Sequence, residues 1–213
     1  MTNKPKQKKA IVFDDHRLFA ESFGNLIEQM DIFRNVHTIF DDRELVNYLM
    51  NERSGFQIYL FADFYLQGKT FIPMINELRR IHNNFVIIIV SSVTNPILIN
   101  EILSYPIHGF LSKSSKTPEI IDCKNSIDSG KLYISPTIQK ILDESGTAFK
   151  LPFTDREIEV IQYFAKGLTV DETAAEMNLS RHTVAAHRSK MMNKAGCKNI
   201  IQLLAFARKV ELI

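Results

Sequence analysis

The run Val86-Ile87-Ile88-Ile89-Val90 joins five β-branched residues with no polar side chain among them. A strand that faces water on one side alternates apolar and polar residues. A run without alternation is buried on both faces, as happens at the centre of a parallel sheet covered by helices. Four more apolar runs share the first 130 residues with it: Ala10-Ile11-Val12-Phe13, Val36 to Phe40, Ile58 to Ala62 and the short Gly109-Phe110-Leu111. Between them lie helical patterns at about Leu18–Met30, Asp42–Met50, Phe71–Ile81, Ile97–Ser104 and Pro118–Ser129. In the first of these, Phe19, Phe23, Leu26, Ile27 and Met30 recur at helical spacing and form one apolar face. Five strands alternating with five helices predict an α/β domain with a five-stranded, doubly wound parallel sheet.

Beyond Gly130 the pattern changes. Ser135-Pro136 opens a short helical stretch to about Glu144, and Ser145-Gly146-Thr147-Ala148 reads as linker. From Phe153 onward the chain reads as all helical. Thr154 with Glu157 forms a capping box, and Ile158, Ile161, Phe164 and Ala165 line the inner face of the helix that follows. Gly167 ends that helix, Thr169 caps a second running to Met177, and Ser180 caps a third running to about Ala195. Gly196 ends the third, and Asn199 caps a fourth running to about Lys209. Two short helices joined through Asn178-Leu179-Ser180 describe a helix-turn-helix. The expected organisation is a basic tail over 1–8, the α/β domain over 9–130, a linker with a short helix over 131–150, and a small four-helix domain over 151–213.

Composition narrows the class of protein. The chain is 45% hydrophobic and 23% charged, as ordinary soluble globular proteins are. No run approaches the ~18 apolar residues that a membrane span needs. The Lys-rich start passes straight into Ile11-Val12-Phe13 and two aspartates, without the apolar stretch of a signal peptide. Cys123 and Cys197 are far apart and have no metal-type spacing, so thiols in a reducing cytoplasm are expected. The net charge of +2 hides a division. Between Asn178 and the end, seven Lys/Arg face Glu211 alone, whereas Asp155 to Met177 holds six acids against two bases. A basic block beside an acidic one in a small domain points to a polyanion-facing surface.

In open parallel sheets, chemistry gathers beyond the carboxyl ends of the strands. Asp14 and Asp15 end the first run, Asp63 ends the third, Ser91 follows the fourth and Lys113 follows the fifth. Taken singly, each fits an ordinary turn or surface position. Together they end strands of one sheet and so converge at one edge. Three carboxylates at one edge repel one another unless a cation joins them, and Mg²⁺ suits a site with few carboxylates, waters and a phosphate. Asp63, on the central part of the sheet, is then placed to attack a phosphoryl donor and form an acyl phosphate. Lys113 would neutralise charge on the transferring oxygens, and the Ser91 hydroxyl would donate to them.

Asp14-Asp15-His16, Asp63, Ser91-Ser92 and Gly109-Phe110-Leu111-Ser112-Lys113 resemble the signature of a response-regulator receiver domain, which has a flavodoxin-like fold. The resemblance implies Asp63 as phosphoacceptor, Asp15 and Asp63 as direct Mg²⁺ ligands, Asp14 acting through water, and the Tyr65 backbone carbonyl as a further ligand. It makes Phe110 a switch aromatic that turns inward when Ser91 moves toward the phosphate. It also implies a sensor histidine kinase as phosphodonor. Two departures stand out. The family's Pro-Gly turn after the phosphoacceptor is Leu66-Gln67-Gly68 here, and Tyr65 sets a bulky ring near the phosphoryl site. Such a ring would hinder attacking water and lengthen the phosphorylated lifetime.

Thr154-Asp155-Arg156-Glu157, Gly167-Leu168-Thr169, Ala174, Leu179-Ser180, Thr183-Val184, His187 and Lys194 resemble the C-terminal domain of NarL/FixJ (LuxR-type) regulators. The resemblance implies that the helix from Arg181 to Ala195 lies in the major groove of promoter DNA, with Thr169 and its flanks on phosphates. Val184 and Met191 are seven apart and face the domain core, leaving His182, Ala185, Ala186, Ser189 and Asn193 on the opposite face. The expected DNA contacts are Thr169, Arg181, His182, Thr183, Ala185, Ala186, His187, Arg188, Ser189, Lys190 and Lys194. Two alanines where base-reading side chains are usual leave affinity resting on phosphate anchors. They also leave open a second reading, an adaptor that acts through protein contacts with weak or no sequence-specific DNA binding. The last helix has surplus apolar surface in Ile200 and Ile201, a seam for the homodimer that the family forms on DNA. The helical domain has no nucleophile–base pair or phosphate-cradling glycine loop, so an enzymatic output is not expected.

Overall fold

The computed structural model describes residues 8–52, 55–66, 69–81, 85–145 and 151–213. In chain order its elements are β1 (Lys8–Phe13), α1 (Arg17–Gln29), β2 (Val36–Ile39), α2 (Asp42–Asn51), β3 (Gln57–Asp63), β4 (Tyr65–Leu66) and β5 (Lys69–Thr70). There follow α3 (Ile72–Ile81), β6 (Phe85–Ser91), α4 (Pro96–Ser104), β7 (Gly109–Ser112), α5 (Thr117–Asp128), β8 (Tyr133–Ile134) and α6 (Pro136–Ser145). The chain ends with α7 (Asp155–Ala165), α8 (Val170–Glu176), α9 (Arg181–Lys194) and α10 (Ile200–Lys209). It divides into two compact units. One holds Met1–Gln67, Phe71–Ser92 and Leu103–Lys140; the other holds Gly68–Thr70, Val93–Ile102 and Ile141–Ile213.

The sheet has the order β2-β1-β3-β6-β7-β8, and every described pairing in it is parallel. Its first five strands are the expected ones, with β1, β3 and β6 at the centre. The sixth is an addition. Tyr133–Ile134 pairs with Gly109 and Phe110 at the edge, inside a segment that the sequence assigns to linker. Two residues are too few for periodicity to register. A second departure is the separate two-stranded β4–β5 ribbon directly after Asp63, where the sequence suggests only a turn. Gln67 and Gly68 of that expected turn lie outside the described residues, as do 1–7 of the expected tail and 146–150 of the expected linker. Lys8, assigned to the tail, opens β1 and pairs with Asp128 at 2.6 Å.

The pleat sorts the strands' side chains between two layers. Ala10, Val12, Tyr59, Phe61, Val86, Ile88 and Val90 meet Ala20 and Ile27 of α1 and Ile120, Cys123 and Ile127 of α5 in one core. Their neighbours Ile11, Phe13, Leu60, Ile87 and Ile89 point to the opposite layer and are just as deeply buried. All seven residues of β6 are buried, which is what its lack of alternation requires. Gly109 lets α5 approach closely, since a Cβ there would sit 2.9 Å from Cys123 Sγ.

In the C-terminal unit, α7, α8 and α10 pack with α9 around Ile158, Ile161, Ala174, Val184, Met191, Leu203 and Ala207. Capping boxes at Thr154/Glu157 and Thr169/Glu172 set the starts of α7 and α8, and Ser180 caps α9. Asn178 takes a left-handed conformation (φ 52°) in the turn between α8 and α9, which asparagine tolerates better than most residues.

Candidate functional site

Because β1, β3, β6 and β7 run parallel and in register, their carboxyl ends bring Asp14, Asp63, Ser91 and Lys113 to one edge. The register pairs Asp63 with Val90 and Ser91 with Ser112, so residues distant in sequence meet within two strand spacings. Asp14, Asp63 and Ser91 are buried. The Lys113 ammonium donates to Asp14 Oδ2 at 2.7 Å and to Asp63 Oδ2 at 2.9 Å, bridging the two carboxylates. It also lies 4.4 Å from the centre of the Phe19 ring. The Lys113 backbone N–H donates to the Ser91 carbonyl at 2.9 Å, which locks the loop after β7 to the end of β6.

Burial pushes the Asp63 carboxyl above its ordinary range, and the charge of Asp14 adds to this; hydrogen bonds from Lys113 and Phe64 N–H oppose it. Burial works against the charge on Lys113, yet its bonds to Asp14 and Asp63 hold its affinity for the proton above normal. The site therefore keeps one cation between two desolvated anions, and it gains from a further positive charge.

His16 stands at the same edge, with its side chain 70% exposed. Its backbone N–H donates to Asp14 Oδ1 at 2.8 Å, and its Nδ1 lies 3.1 Å from that oxygen and 3.3 Å from Asp15 Oδ1. One ligand atom from each of Asp14, Asp15, His16 and Asp63 can be chosen so that all lie within 4.8 Å of one another. Three carboxylates in such a cluster fit a hard divalent ion such as Mg²⁺. An open cavity of about 380 Å³ adjoins Asp63 and His16 of this cluster and is lined further by Phe19, Tyr65, Ser91, Ser92 and Lys113. It has room for a phosphoryl group and the tip of its donor. Tyr65 opens β4, and its ring packs edge-on to Phe64 at 4.9 Å. Phe110 is fully buried in β7, paired with Ile89. The strand-end pattern reached the carboxylates, Ser91 and Lys113 but passed over His16 and Phe19. The signal for both is positional: His16 follows Asp15 directly and precedes α1, and Phe19 lies in the first turn of that helix.

In the C-terminal unit, Val184 and Met191 are fully buried, so α9 presents the face anticipated from their spacing. Arg181, His182, Ser189 and Lys190 are exposed on it, while Thr183, Ala185, Ala186, His187 and Arg188 are half-buried. Two of the expected anchors have partners within the unit. Lys194 donates to Glu157 Oε2 at 2.6 Å, and Arg181 lies 3.1 Å from Asp171. Glu157 is buried, which opposes its charge, but Lys194 and the Thr154 backbone N–H hold its carboxyl below the usual range. Thr169 is exposed at the start of α8, with its hydroxyl on Glu172. Ile201 is 75% exposed on α10.

A phosphoacceptor-type edge on a doubly wound sheet, followed by a four-helix helix-turn-helix unit, defines a class. The chain belongs to the response regulators: residues 10–124 match the family model "Response regulator receiver domain", and residues 151–207 match "Bacterial regulatory proteins, luxR family". It is thus a transcriptional response regulator of the NarL/FixJ (LuxR-type) kind rather than an enzyme. It is 28% identical over 192 residues to the transcriptional regulatory protein UhpA of Escherichia coli, covering 90% of this chain and 93% of that one. It is 24% identical to the Fimbriae Z protein of Salmonella typhimurium, covering 98% and 100% of the two chains. Among solved structures, RcsB from Salmonella enterica serovar Typhimurium, bound to promoter rprA in the presence of phosphomimetic BeF₃⁻, shares the fold. The TM-score is 0.70 at 22% identity, covering 95% of this chain and 99% of that one.

No helix among the described residues is long and apolar enough to cross a membrane.

Proposed function

We propose that a sensor histidine kinase phosphorylates Asp63 in the cytoplasm, and that this controls DNA binding and homodimerisation by the helix-turn-helix unit. The observation that carries this reading is the Lys113 ammonium held between buried Asp14 and Asp63 beneath an open cavity. An Asp63 carboxylate oxygen attacks phosphorus, forming a P–O bond while the donor's P–N bond breaks and the donor imidazole leaves. Lys113 lies within reach of the transferring oxygens and moves from carboxylate to phosphoryl as charge shifts. Ser91, at the end of β6, donates its hydroxyl to the phosphoryl group, and Phe110 on the adjoining strand repacks with it. Asp15 and Asp63 with the Tyr65 carbonyl would hold Mg²⁺ directly and Asp14 would hold it through water; the ion, when bound, supplies charge neutralisation at the phosphoryl oxygens.

On the output side, Arg181, Arg188 and Lys190 anchor phosphates, with His182, Thr183, His187 and Ser189 along the same helix and Thr169 at the start of α8. Ala185 and Ala186 let the helix approach the groove and touch thymine methyls. Lys194 joins them only by giving up Glu157. The exposed Ile201, with Ile200, offers the dimer seam. RcsB, bound to promoter DNA with a phosphomimetic, is the precedent for this pairing of input and output. The domain limits proposed are 9–130 for the receiver and 151–213 for the DNA-binding domain, with 131–150 between.

The test is fluorescence anisotropy of a labelled promoter duplex, with and without a small-molecule phosphodonor and Mg²⁺. The donor should tighten binding by wild type and leave Asp63→Ala unchanged, with a steep loss of affinity as salt rises. Salt-insensitive or absent binding would favour the adaptor reading instead.

A further inference from the structure

His16 is a residue that the phosphotransfer scheme does not use, yet its imidazole sits among the carboxylates. About an ion with bonds of roughly 2.0–2.1 Å, neighbouring ligand atoms are separated by about 2.9–3.3 Å. Nδ1 of His16 is 3.1 Å from Asp14 Oδ1 and 3.3 Å from Asp15 Oδ1, which are separations of that kind. Asp63 Oδ2 is farther, at 3.9 Å. The imidazole, 70% exposed, has the rotamer freedom to close that gap. The two oxygens of Asp14 are also divided between tasks. Lys113 takes Oδ2, and Oδ1 faces His16. Asp14 can thus engage an ion through Oδ1 while its bond to Lys113 stays in place.

Resting on the reading of this cluster as a divalent-ion site, we propose that His16 is itself a metal ligand through Nδ1. It converts an all-oxygen Mg²⁺ site into one that also takes a borderline, imidazole-seeking ion of the Zn²⁺ or Co²⁺ type. Mg²⁺ gains little from a nitrogen ligand, whereas first-row ions late in the series gain much. A chain with this donor set holds two alternative ions at one place. The nitrogen-bound ion occupies the Asp63 carboxylate and so competes with phosphorylation.

The test uses full-length wild type and His16→Gln. Gln retains the backbone N–H bond to Asp14 and the helix start but removes the nitrogen donor. Isothermal titration with ZnCl₂ and, separately, MgCl₂ gives both affinities, and the visible absorption of bound Co²⁺ reports nitrogen ligation directly. His16→Gln should weaken Zn²⁺ binding by about tenfold or more, in line with the loss of one ligand in a closed set. It should alter the Co²⁺ spectrum and leave Mg²⁺ affinity within about twofold, since oxygen ligands carry that ion. Zn²⁺ binding indifferent to His16→Gln places the ion elsewhere and overturns the proposal. Equal losses for Zn²⁺ and Mg²⁺ also overturn it, because His16 would then only position Asp14. If wild type binds Mg²⁺ but not Zn²⁺, this inference fails while the Mg²⁺ reading stands; if it binds neither, both fail.

Discussion

Replacing Lys113 by Met removes the cation between Asp14 and Asp63 while keeping most of the side-chain volume. The side chains concerned are 18%, 2% and 5% exposed, so water can screen the carboxylates only weakly. At an effective dielectric of about 20, unit charges 2.7–2.9 Å apart attract by about 6 kcal/mol, most of it cancelled by the cost of desolvating the groups. Removing one partner of a buried pair typically costs about 3–5 kcal/mol; the remaining exposure of Lys113 lowers the expected loss to about 2–3 kcal/mol. The sign with pH follows from Asp63, whose carboxyl is raised above 3.8 in the folded state by burial. A raised carboxyl penalises folding above its folded-state pKa, and the penalty fades as pH falls through that value toward the unfolded one. The Lys113→Met deficit is therefore largest at neutral pH and shrinks on acidification, when protonated Asp63 needs no cation. Native-state hydrogen exchange of the β3 and β6 amides under mild urea reads this unit without assuming that the whole chain unfolds in one step. Added Mg²⁺ should recover part of the loss. A deficit under about 0.5 kcal/mol at neutral pH, the size of an ordinary surface substitution, would refute the ion-bridge reasoning.

Three other outcomes are expected. Lys194→Met leaves the Glu157 carboxylate buried without its cation, supported by Thr154 alone through backbone and side chain. Exchange protection in α7 and α9 should fall by about 1–2 kcal/mol, discounted because Lys194 is 37% exposed. Because Glu157 is held below 4.5, that loss should disappear as pH falls through its folded-state pKa. For Asp128, burial opposes the charge, but Lys8, Tyr59 and Lys124 lower its pKa to about 2. Its stabilisation is present above about pH 4 and lost as pH falls toward 2; Asp128→Asn should cost on the order of 1 kcal/mol at pH 7 and flatten the acid limb of an unfolding profile. Tyr65→Ala should shorten the phosphorylated lifetime a few-fold, measured as release of inorganic phosphate; equal rates in wild type and variant would end that idea.

Much of the architecture was legible because burial writes itself into sequence. β6 is apolar throughout because both its faces are covered, and α1 carries its face at helical spacing because one side meets the sheet. The capping boxes at Thr154 and Thr169 depend on residues only three apart, so they could be read directly. β8 could not, since two residues at an edge carry no period. Nor could β4–β5, which follows Asp63 without an apolar run of its own. The same distinction runs through the site. Asp14, Asp63, Ser91 and Lys113 were found because strand ends converge in any parallel sheet. The Lys194–Glu157 tether was not found, because it joins side chains 37 positions apart and depends on how helices α7 and α9 pack. Lys194 reads as a free phosphate anchor in sequence, yet in the folded unit its charge is shared with a buried acid. His16 was visible as part of a signature, but its distances to three carboxylates belong to the fold alone.

The central claim is that the state of Asp63 governs where the helix-turn-helix unit sits on DNA. Genome-wide occupancy of wild type against Asp63→Ala, under conditions that activate the kinase, tests it most directly. Wild type should occupy a discrete set of promoters, and Asp63→Ala should lose them while retaining diffuse, salt-sensitive binding. The same discrete sites in both proteins, or no discrete sites in either, would contradict the account.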